Sequence, residues 1–171
     1  DWAQTMQDFE LIVVDNGSTD ESLEIARSYQ GRPGYILIEN KANTGFSYAV
    51  NQGIRMAKGE YVALFNNDAF AEPDWLENLI AAAEQDPKIF GVSSLMIRHF
   101  ERELADDAGD YVTLLGFACK RGDGLRWQRY LKPGRVFSAC GGAALYRKSI
   151  LDEIGLFDEN FFAYFEDVDI S

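Results

Sequence analysis

The sequence has few of the residues that build covalent cross-links and imidazole-based sites. It contains two cysteines, Cys119 and Cys140, and one histidine, His99, in 171 residues. Two cysteines outside a CxxC pattern exclude a disulfide framework and a cysteine-rich zinc site, so we expect two reduced thiols. His99 lies in a charged stretch, which predicts a solvated side chain and leaves no His-based triad and no multi-histidine metal site.

Long apolar runs and excess positive charge are also missing. No apolar stretch approaches the roughly 18 residues of a membrane span, and no signal peptide opens the chain. The net charge is −12, from 16 basic and 28 acidic residues, so the basic footprint of a nucleic-acid-binding protein is absent and no nucleic-acid partner is expected. A negative chain can still bind a phosphate-bearing ligand whose charge a divalent cation offsets.

The sequence does contain enough apolar material for one core. Its hydrophobic fraction of 47% predicts a single domain over residues 1–171. Residues 1–7 look like the end of a helix, and residues 166–171 start an element that does not finish. We therefore expect a domain that is truncated at both ends.

Short apolar runs alternate with amphipathic segments along the chain. Strands are predicted at 9–15, 34–39, 61–65, 89–94 and 136–146, and helices at 18–29, 46–57, 73–87 and 148–154. Ser18 and Asp20 have the spacing of a helix cap, and the charged, glycine-spotted residues 98–135 predict turns. The alternation predicts an α/β domain with right-handed crossovers, a mostly parallel sheet and helices on both faces.

Polar clusters stand at the ends of three apolar runs. They are residues 15–20, 66–68 and 166–169. Open α/β sheets bind ligands at the carboxyl ends of their strands, so we expect these clusters to surround one crevice. Carboxylate and amide side chains around a crevice suit a metal-bound, phosphate-bearing ligand.

With these clusters in this order, the chain resembles glycosyltransferase family 2, the inverting nucleotide-sugar transferases of the GT-A fold. The matching stretches are residues 9–20, 43–46, 51–54, 57–61, 66–68, 155–159 and 161–169, and the triplet at 66–68 is closest to the rhamnosyltransferase-like subset. The resemblance implies a Rossmann-like three-layer sandwich with a mostly parallel central sheet. It also implies a nucleotide-sugar-binding half over 1–97 and an acceptor and catalytic half over 98–171. The family's usual first strand and the segment beyond the catalytic cluster do not occur in the sequence.

The resemblance assigns roles to the first two clusters. Asp15 and Asn16 map onto the loop that holds the donor nucleotide, although a turn with a helix cap explains the same residues. Asn66-Asn67-Asp68 occupies the place of the DXD motif, with a polar strand end as the alternative. Asp68 is the expected ligand of Mg²⁺ or Mn²⁺, because a phosphate-bound ion of this kind needs only one or two protein carboxylates. Asn67 is a candidate for a ribose contact, and Asn66 is the weakest candidate of the three.

In the third cluster, Asp167 stands where the family keeps its catalytic base, with Glu166 as the second choice. Inversion needs one carboxylate to take the proton of the acceptor hydroxyl as its oxygen attacks the anomeric carbon. The aromatic residues in 161–165 would lower the local polarity and raise the proton affinity of that carboxylate. The alternative is an acidic helix start, which is our assignment for Asp169.

Further positions of the resemblance line the donor pocket. Asn43, Gly45 and Asn51 surround the start of the second predicted helix, where a turn, a cap or a loop cross-link is the alternative. Gly141 and Gly142 would let the backbone approach the donor sugar or the acceptor, and tight strand packing is the competing explanation. Three arginines of the 98–135 region are candidates for a contact with a diphosphate or an acceptor, but a solvated loop is the default expectation: Arg121, Arg126 and Arg129.

The resemblance implies an enzyme that moves a sugar from a UDP- or dTDP-sugar to a hydroxyl of a glycan or lipid-linked glycan by metal-assisted single displacement. It implies cell-surface polysaccharide synthesis in the cytoplasm or at the inner face of the cell membrane, and it leaves peripheral membrane association open. Three other readings remain. A nucleotidyltransferase that makes sugar nucleotides would need a glycine-rich phosphate loop, which the sequence lacks. A non-catalytic sugar-nucleotide or glycan-binding module and a purely structural domain share the same pattern.

Overall fold

The computed structural model describes residues 3–171 of the chain, and its elements follow the alternating order of an α/β domain. The strands are β1 Leu11–Asp15, β2 Tyr35–Glu39, β3 Tyr61–Phe65, β4 Gly91–Ser93, β5 Met96–Ile97, β6 Ala105–Asp107, β7 Asp110–Val112, β8 Ala118–Lys120 and β9 Ala143–Arg147. The helices are α1 Ser22–Arg27, α2 Phe46–Met56, α3 Trp75–Ala83, α4 Lys148–Ile154 and α5 Glu166–Asp169, and a 3₁₀ turn covers Trp127–Tyr130.

Two sheets carry the domain. β1 and β2 pair in parallel, with Leu11 opposite Tyr35 and Asp15 opposite Glu39. β9 lies between β3 and β4 and is antiparallel to both, so β3 and β4 run in the same direction. The carboxyl ends of β1 and β3 therefore carry Asp15 and the 66–68 triplet, as the sequence predicts.

The pairing is more antiparallel than the alternation predicts, because of β9. Among the described residues, parallel pairing occurs only between β1 and β2. β9 follows a long excursion over residues 98–142 instead of a helical crossover, so it can enter between β3 and β4 in the reverse direction. The predicted strand over 136–146 shortens to Ala143–Arg147, since the residues before it turn aside to contact other elements.

The first helix starts later than predicted. The capping pattern places its start at Ser18, whereas α1 begins at Ser22. The Ser18 N–H donates instead to the Asp15 carboxylate over 3.2 Å, which holds the chain in a turn after β1. Oδ1 of Asp20 accepts the Ser22 N–H at 3.0 Å, so Asp20 holds the start of α1 from the position before the N-cap residue, Glu21.

Residues 98–135, predicted as turns, contain short regular pieces. β5 pairs with β6 and β7 pairs with β8, both antiparallel. The 3₁₀ turn is tied to the segment before β6, because the Trp127 Nε1–H donates to the Arg102 carbonyl at 3.1 Å. The turn signals of this region thus mark hairpins that the sequence pattern did not separate.

Alternate residues of β9 belong to two apolar clusters. Leu145 packs with Leu76, Leu79 and Ala83 of α3. Ala144 and Tyr146 join a second cluster with Ile54, Leu64, Leu151 and Phe157. Because successive side chains of a strand point to opposite faces, β9 is buried on both faces. Helices therefore cover both faces of this sheet, which is the three-layer arrangement that the sequence predicts.

The helices of the domain are short. The longest, α2, has 11 residues. Its rise of about 16 Å is roughly half the thickness of a bilayer's hydrocarbon core. Within residues 3–171, no helix is long and apolar enough to span a membrane.

Candidate active site

Residues 138–142, which we call the connecting strip, lie just before β9 and beside the carboxyl end of β3. The Asn66 N–H donates to the Gly142 carbonyl at 2.9 Å. The residue before Gly142 in the strip, Gly141, donates its N–H to Oδ2 of Asp167 at 3.0 Å. The strip therefore joins the 66–68 triplet to the 166–169 cluster, which brings together two of the three polar clusters.

Close packing accounts for glycine at the first of the two positions. A Cβ atom on Gly141 would lie 3.3 Å from the ring of Phe46 and 3.7 Å from Oδ2 of Asp167. A Cβ atom on Gly142 would lie 3.5 Å from Nδ2 of Asn66, which is an ordinary van der Waals contact. The backbone of the strip thus packs directly against the start of α2, and its approach to a sugar stays a prediction.

Asp68 lies in the exposed turn after β3, on the wall of a cleft of about 520 Å³. Trp75, Arg98 and His99 line the same cleft. The His99 ring is exposed, as predicted, and stacks on Phe70 with ring centroids 5.6 Å apart. The Asp68 carboxylate makes no hydrogen bond or ion pair within residues 3–171, so it is free to bind a ligand.

The two carboxylates at the start of α5 are held differently. Asp167 is partly exposed, and its Oδ1 and Oδ2 accept the N–H groups of Val168 and Gly141. Glu166 is buried, and its Oε2 has no hydrogen-bond partner in the described part of the chain. Burial raises the pKa of Glu166, and the negative charge of Asp167 adds to the shift. Asp167 is therefore the oriented and accessible carboxylate of the pair.

The backbone before α5 is strained. Tyr164 and Phe165 both have positive φ angles, 72° and 71°, in the left-handed region that aromatic residues rarely adopt. Both side chains are exposed, at 81% and 60%. Strained non-glycine residues persist only where the surrounding structure holds them, and they concentrate at ligand sites. Glu166 and Asp167 therefore follow directly after a tightly turned, strained backbone segment.

The sequence reasoning missed a buried acidic pair beside this site. Asp107 is fully buried and Asp110 nearly so, and the Asp110 carboxylate accepts the Ser138 hydroxyl at 3.0 Å. Burial raises the pKa of Asp107 to about 6 and raises that of Asp110, which the charge of Asp167 raises further. The signal in the sequence is the run Asp106-Asp107-Ala108-Gly109-Asp110, with three acids in five residues, but acidic residues around a glycine also predict a turn.

Cys140, in the middle of the connecting strip, lies close enough to Asp107 and Asp167 to feel their negative charges. Burial raises the pKa of its thiol to about 11, and the charges of Asp107 and Asp167 contribute. Cys140 and Cys119 are both free, as the sequence predicts. A thiol with a raised pKa carries little thiolate at neutral pH, so Cys140 is a packing residue rather than a nucleophile.

Asp15 and Asn16, predicted as donor ligands, organise two loops. Oδ2 of Asp15 accepts the N–H groups of Gly17 and Ser18, both at 3.2 Å. Oδ1 of Asn16 accepts from Asn40 and from the N–H and hydroxyl of Thr44. The Asn16 amide therefore fastens the loop between β2 and α2, and any contact of these residues with a donor stays a prediction.

Asn43 and Gly45 belong to the same hydrogen-bond network as Asn16. Oδ1 of Asn43 accepts the Gly45 N–H at 2.9 Å and the Asn16 amide at 3.0 Å. Gly45 has a φ of 89°, and a Cβ atom there would lie 2.7 Å from the Phe162 carbonyl. The Phe46 N–H donates to that same carbonyl at 2.6 Å. The aromatic segment before Asp167 thus docks on the start of α2, which links the first polar cluster to the third.

Asn51, also predicted in the donor pocket, is buried in a loop cross-link. Its side chain accepts the Phe157 N–H at 3.1 Å and donates to the Phe157 carbonyl at 2.8 Å. A further bond of 3.0 Å reaches Glu159, and only 1% of Asn51 is exposed. The structure therefore favours the cross-link, which the sequence reasoning held as the alternative.

The three arginines expected to be solvated differ in surroundings. Arg126 and Arg129 are exposed, and Arg126 forms an ion pair of 3.4 Å with Glu103. Arg121 is half-buried, since its guanidinium stacks 5.0 Å above the Tyr130 ring and donates to the Ala108 carbonyl. Arg121 is therefore a structural residue of the region rather than a solvated one.

The residues around Asp68 fit a metal ion that also binds the substrate's phosphates, rather than one whose ligands all come from the protein. Within residues 3–171, no group of three His, Cys, Asp or Glu side chains could hold a metal ion. A Mg²⁺ ion that also binds substrate phosphates needs only one or two protein carboxylates and keeps several waters. The unpaired, exposed carboxylate of Asp68 meets that requirement.

Comparison with known proteins gives relatives along nearly the whole chain. The glucosyl-dolichyl phosphate glucuronosyltransferase of Haloferax volcanii is 25% identical over 158 residues, which are 92% of this chain and 49% of the relative. The mannosyltransferase PcManGT from Pyrobaculum calidifontis, solved with GDP-Man and Mn²⁺, has a TM-score of 0.67 and 22% identity, and the match covers 99% of this chain and 44% of that one. Staphylococcus aureus TarS 1–349, solved with UDP, has a TM-score of 0.64 and 22% identity, over 98% and 46%.

These likenesses confirm the predicted fold, because both solved neighbours are glycosyltransferases of the GT-A type. The chain spans about half the length of the relatives it matches, or less. The rhamnosyltransferase-like subset stays a prediction. The family profile described as Glycosyl transferase family 2 matches residues 2–155. The chain belongs to glycosyltransferase family 2.

Proposed function

We propose that this chain carries the catalytic core of an inverting glycosyltransferase, which moves a sugar from a nucleoside-diphosphate donor to an acceptor hydroxyl. One observation carries the proposal. The connecting strip holds the backbone of Asn66 through Gly142 and the carboxylate of Asp167 through Gly141. A group that binds the leaving diphosphate and a group that takes the acceptor proton must lie on the two sides of one reacting carbon, and this arrangement supports that requirement.

Asp167 is the proposed base. Its carboxylate is oriented by two main-chain N–H groups and stays partly exposed, so an acceptor hydroxyl can reach it. It would take the hydroxyl proton as the acceptor oxygen attacks the anomeric carbon, and the donor's diphosphate leaves from the opposite face with inversion. Glu166 remains the second choice, because its buried Oε2 has no protein partner in the described residues.

Asp68 is the proposed ligand of a divalent cation, Mn²⁺ or Mg²⁺. Such an ion would neutralise the charge that develops on the leaving diphosphate. The unpaired carboxylate of Asp68 supports this role, as does the Mn²⁺ in the PcManGT complex. Asn67, exposed beside it, is the proposed ribose contact, and Asp15, Asn16, Asn43 and Gly45 would shape the nucleotide pocket through their shared loop.

The acceptor is proposed to be a glycan or a lipid-linked glycan. The Haloferax volcanii relative acts, by its name, on a glucosyl-dolichyl phosphate, which supports a lipid-linked acceptor. TarS was solved with UDP and PcManGT with GDP-Man, which supports a nucleoside-diphosphate sugar, and we propose a UDP- or dTDP-sugar here. The reaction would serve cell-surface polysaccharide synthesis in the cytoplasm, at the inner face of the membrane.

A two-stage measurement tests this function. Thermal unfolding of the full-length protein is followed with UDP, dTDP and GDP, each with and without Mn²⁺. One nucleotide should raise the melting temperature in a Mn²⁺-dependent way, and the matching sugar nucleotide should then be slowly hydrolysed. A rise without hydrolysis would favour a binding module, and no rise with any nucleotide would contradict the proposal.

A further inference from the structure

Positive charge is concentrated in one segment of this acidic chain. Six of its 16 basic residues lie within residues 120–135, where Asp123 is the only acid, whereas the whole chain carries a net charge of −12. These six residues are Lys120, Arg121, Arg126, Arg129, Lys132 and Arg135. Segregation of this kind marks a surface that meets a negatively charged partner.

Three of the six basic side chains are both exposed and without an acidic partner, whereas the half-buried Arg121 stacks on Tyr130. Lys120 pairs with Asp106 at 3.2 Å, and Arg126 pairs with Glu103. Arg129, Lys132 and Arg135 are exposed, and in the described part of the chain they make no ion pair. The unpaired charge therefore lies over residues 129–135.

The β7–β8 hairpin, which ends at Lys120 where the basic segment begins, exposes apolar side chains at its tip. Leu114 is fully exposed, Leu115 is 84% exposed and Phe117 is 66% exposed. The tip is ordered, because the Thr113 N–H donates to the Phe117 carbonyl at 2.9 Å and the Gly116 N–H donates to the Thr113 carbonyl. An ordered turn that presents three large apolar side chains to solvent is a contact surface rather than a loose loop.

The basic segment contacts the base of the hairpin. Tyr130 packs against Gly122, two residues after β8, where a Cβ atom would lie 2.9 Å from the Tyr130 ring. The Arg121 guanidinium stacks on the same ring at 5.0 Å. The segment over 129–135 thus runs from the base of the hairpin.

We propose that the tip of the β7–β8 hairpin and residues 129–135 together form a surface that docks the protein on an anionic lipid bilayer. Leu114, Leu115 and Phe117 would enter the boundary between headgroups and acyl chains, while residues 129–135 contact lipid phosphates. Basic residues beside exposed apolar ones match such a bilayer, whereas a nucleic acid offers no apolar phase for the hairpin tip. The inference deepens the proposed function, on which its catalytic meaning rests, because β7 also carries Asp110, whose partner Ser138 belongs to the connecting strip.

Vesicle sedimentation tests the proposal with the full chain and no nucleotide. Vesicles of phosphatidylcholine alone are compared with vesicles that also contain phosphatidylglycerol. Only the anionic vesicles should retain the protein, and high salt should weaken the binding. The Arg129→Gln/Lys132→Gln/Arg135→Gln variant should bind roughly a hundredfold more weakly, since each basic side chain at an anionic surface contributes several-fold. The Leu114→Ser/Leu115→Ser/Phe117→Ser variant should lose retention even at low salt.

Matched variants elsewhere on the surface provide the control. Lys41→Gln/Lys58→Gln/Lys88→Gln removes three exposed cations, and Ile25→Ser/Met56→Ser/Ile154→Ser removes three exposed apolar side chains. Both should bind anionic vesicles like the parent chain. The proposal is overturned if the parent is not retained, if a control loses as much as its counterpart, or if the charge variant alone loses binding and RNA competes it away. Because no nucleotide is present, failure here leaves the donor site untouched.

Where a triple variant fails to fold, Leu115→Ser and Arg135→Gln alone carry the same test. Each single change should weaken binding to anionic vesicles several-fold, and unchanged binding in both would overturn the proposal. Loss of nucleotide-induced thermal stabilisation with vesicle binding intact would instead contradict the proposed function. The two results are therefore distinguishable.

Discussion

The main-chain N–H of Gly141 and the Asp167 carboxylate are joined by a hydrogen bond of 3.0 Å. The two residues are 26 positions apart, and one residue after Gly141 the same strip accepts the N–H of Asn66. A single turn of backbone therefore fixes where the last polar cluster lies relative to the second.

Replacement of Asp167 by Asn should separate donor binding from transfer. An amide oxygen can still accept the Gly141 N–H, so the strip and the donor affinity should be retained. Loss of the base should lower kcat by roughly 10²- to 10⁴-fold. The measurement is the turnover number beside the dissociation constant of the nucleotide. Asp169→Asn, an exposed position on the same helix, should change neither, and full turnover in Asp167→Asn would move the base to Glu166.

Replacement of Asp68 by Ala should abolish the part of nucleotide affinity that depends on Mn²⁺. The carboxylate has no protein partner in the described residues, so its removal should leave the melting temperature of the free protein unchanged. Calorimetric titration with nucleotide, with and without Mn²⁺, gives the affinity, and thermal unfolding of the free protein gives the melting temperature. Asp74→Ala, an exposed acid before α3 whose side chain caps no helix, is the matched control. A Mn²⁺-dependent affinity that survives Asp68→Ala would remove Asp68 as the ligand.

A pair of glycine replacements isolates the contact between Gly45 and the aromatic segment. Gly31 and Gly45 have similar positive φ angles, 85° and 89°, but a Cβ atom on Gly31 meets nothing within 4 Å, whereas one on Gly45 lies 2.7 Å from the Phe162 carbonyl. Gly31→Ala should cost about 1 kcal/mol from backbone conformation alone.

Gly45→Ala should cost roughly 1 to 3 kcal/mol more in urea unfolding, because the Phe162 carbonyl must move. It should also lower kcat, since that carbonyl anchors the segment that leads to Asp167. Equal losses of stability in the two variants would show that the segment does not depend on this contact.

Asp107 should make stability fall as the pH rises. Burial raises its pKa from 3.8 to about 6, so between these values the folded state binds more protons than the unfolded state. The contribution of this carboxyl is thus fully present below pH 4 and is lost as the pH rises through 6. Asp107→Asn removes the titration, so its unfolding free energy relative to the parent should increase by roughly 3 kcal/mol from pH 4 to pH 7.

Urea unfolding of both proteins over that pH range is the measurement. Asp8→Asn, at an exposed position, controls for the general change in net charge. A difference between parent and Asp107→Asn that is independent of pH would mean that folding does not raise the pKa of Asp107.

Local pattern was sufficient where an element's ends are set by its own residues. β3 at Tyr61–Phe65 and α4 at Lys148–Ile154 have the predicted bounds, and α2 differs by one residue. Apolar residues at strand or helix spacing define these elements, and neighbouring polar residues end them. The fold class follows from their alternation.

What the sequence did not indicate depends on contacts distant along the chain. The place of β9 is set by pairing of Ala144 with Leu64 and Ser93, and nothing in the local pattern selects those partners. Asp107 and Asp110 look like turn residues until Ser138 and the strip cover them. In the same way, Asn51 is a cross-link because Phe157 lies beside it. The polar residue types indicated a site, but they did not indicate which of these residues form hydrogen bonds within the protein instead.

The central claim is that Asp68 and Asp167 face one bound nucleotide across the connecting strip. Mn²⁺ broadens the amide NMR signals of nearby residues, so titration of the labelled protein with Mn²⁺ and the stabilising nucleoside diphosphate measures that proximity. The signals of Asn66 and Gly141 should broaden together, and Asp68→Ala should abolish the effect. The signal of Gly31, which precedes the amino end of β2, should not broaden. Broadening that spares Gly141 while it affects Asn66, or that survives Asp68→Ala, would contradict the account.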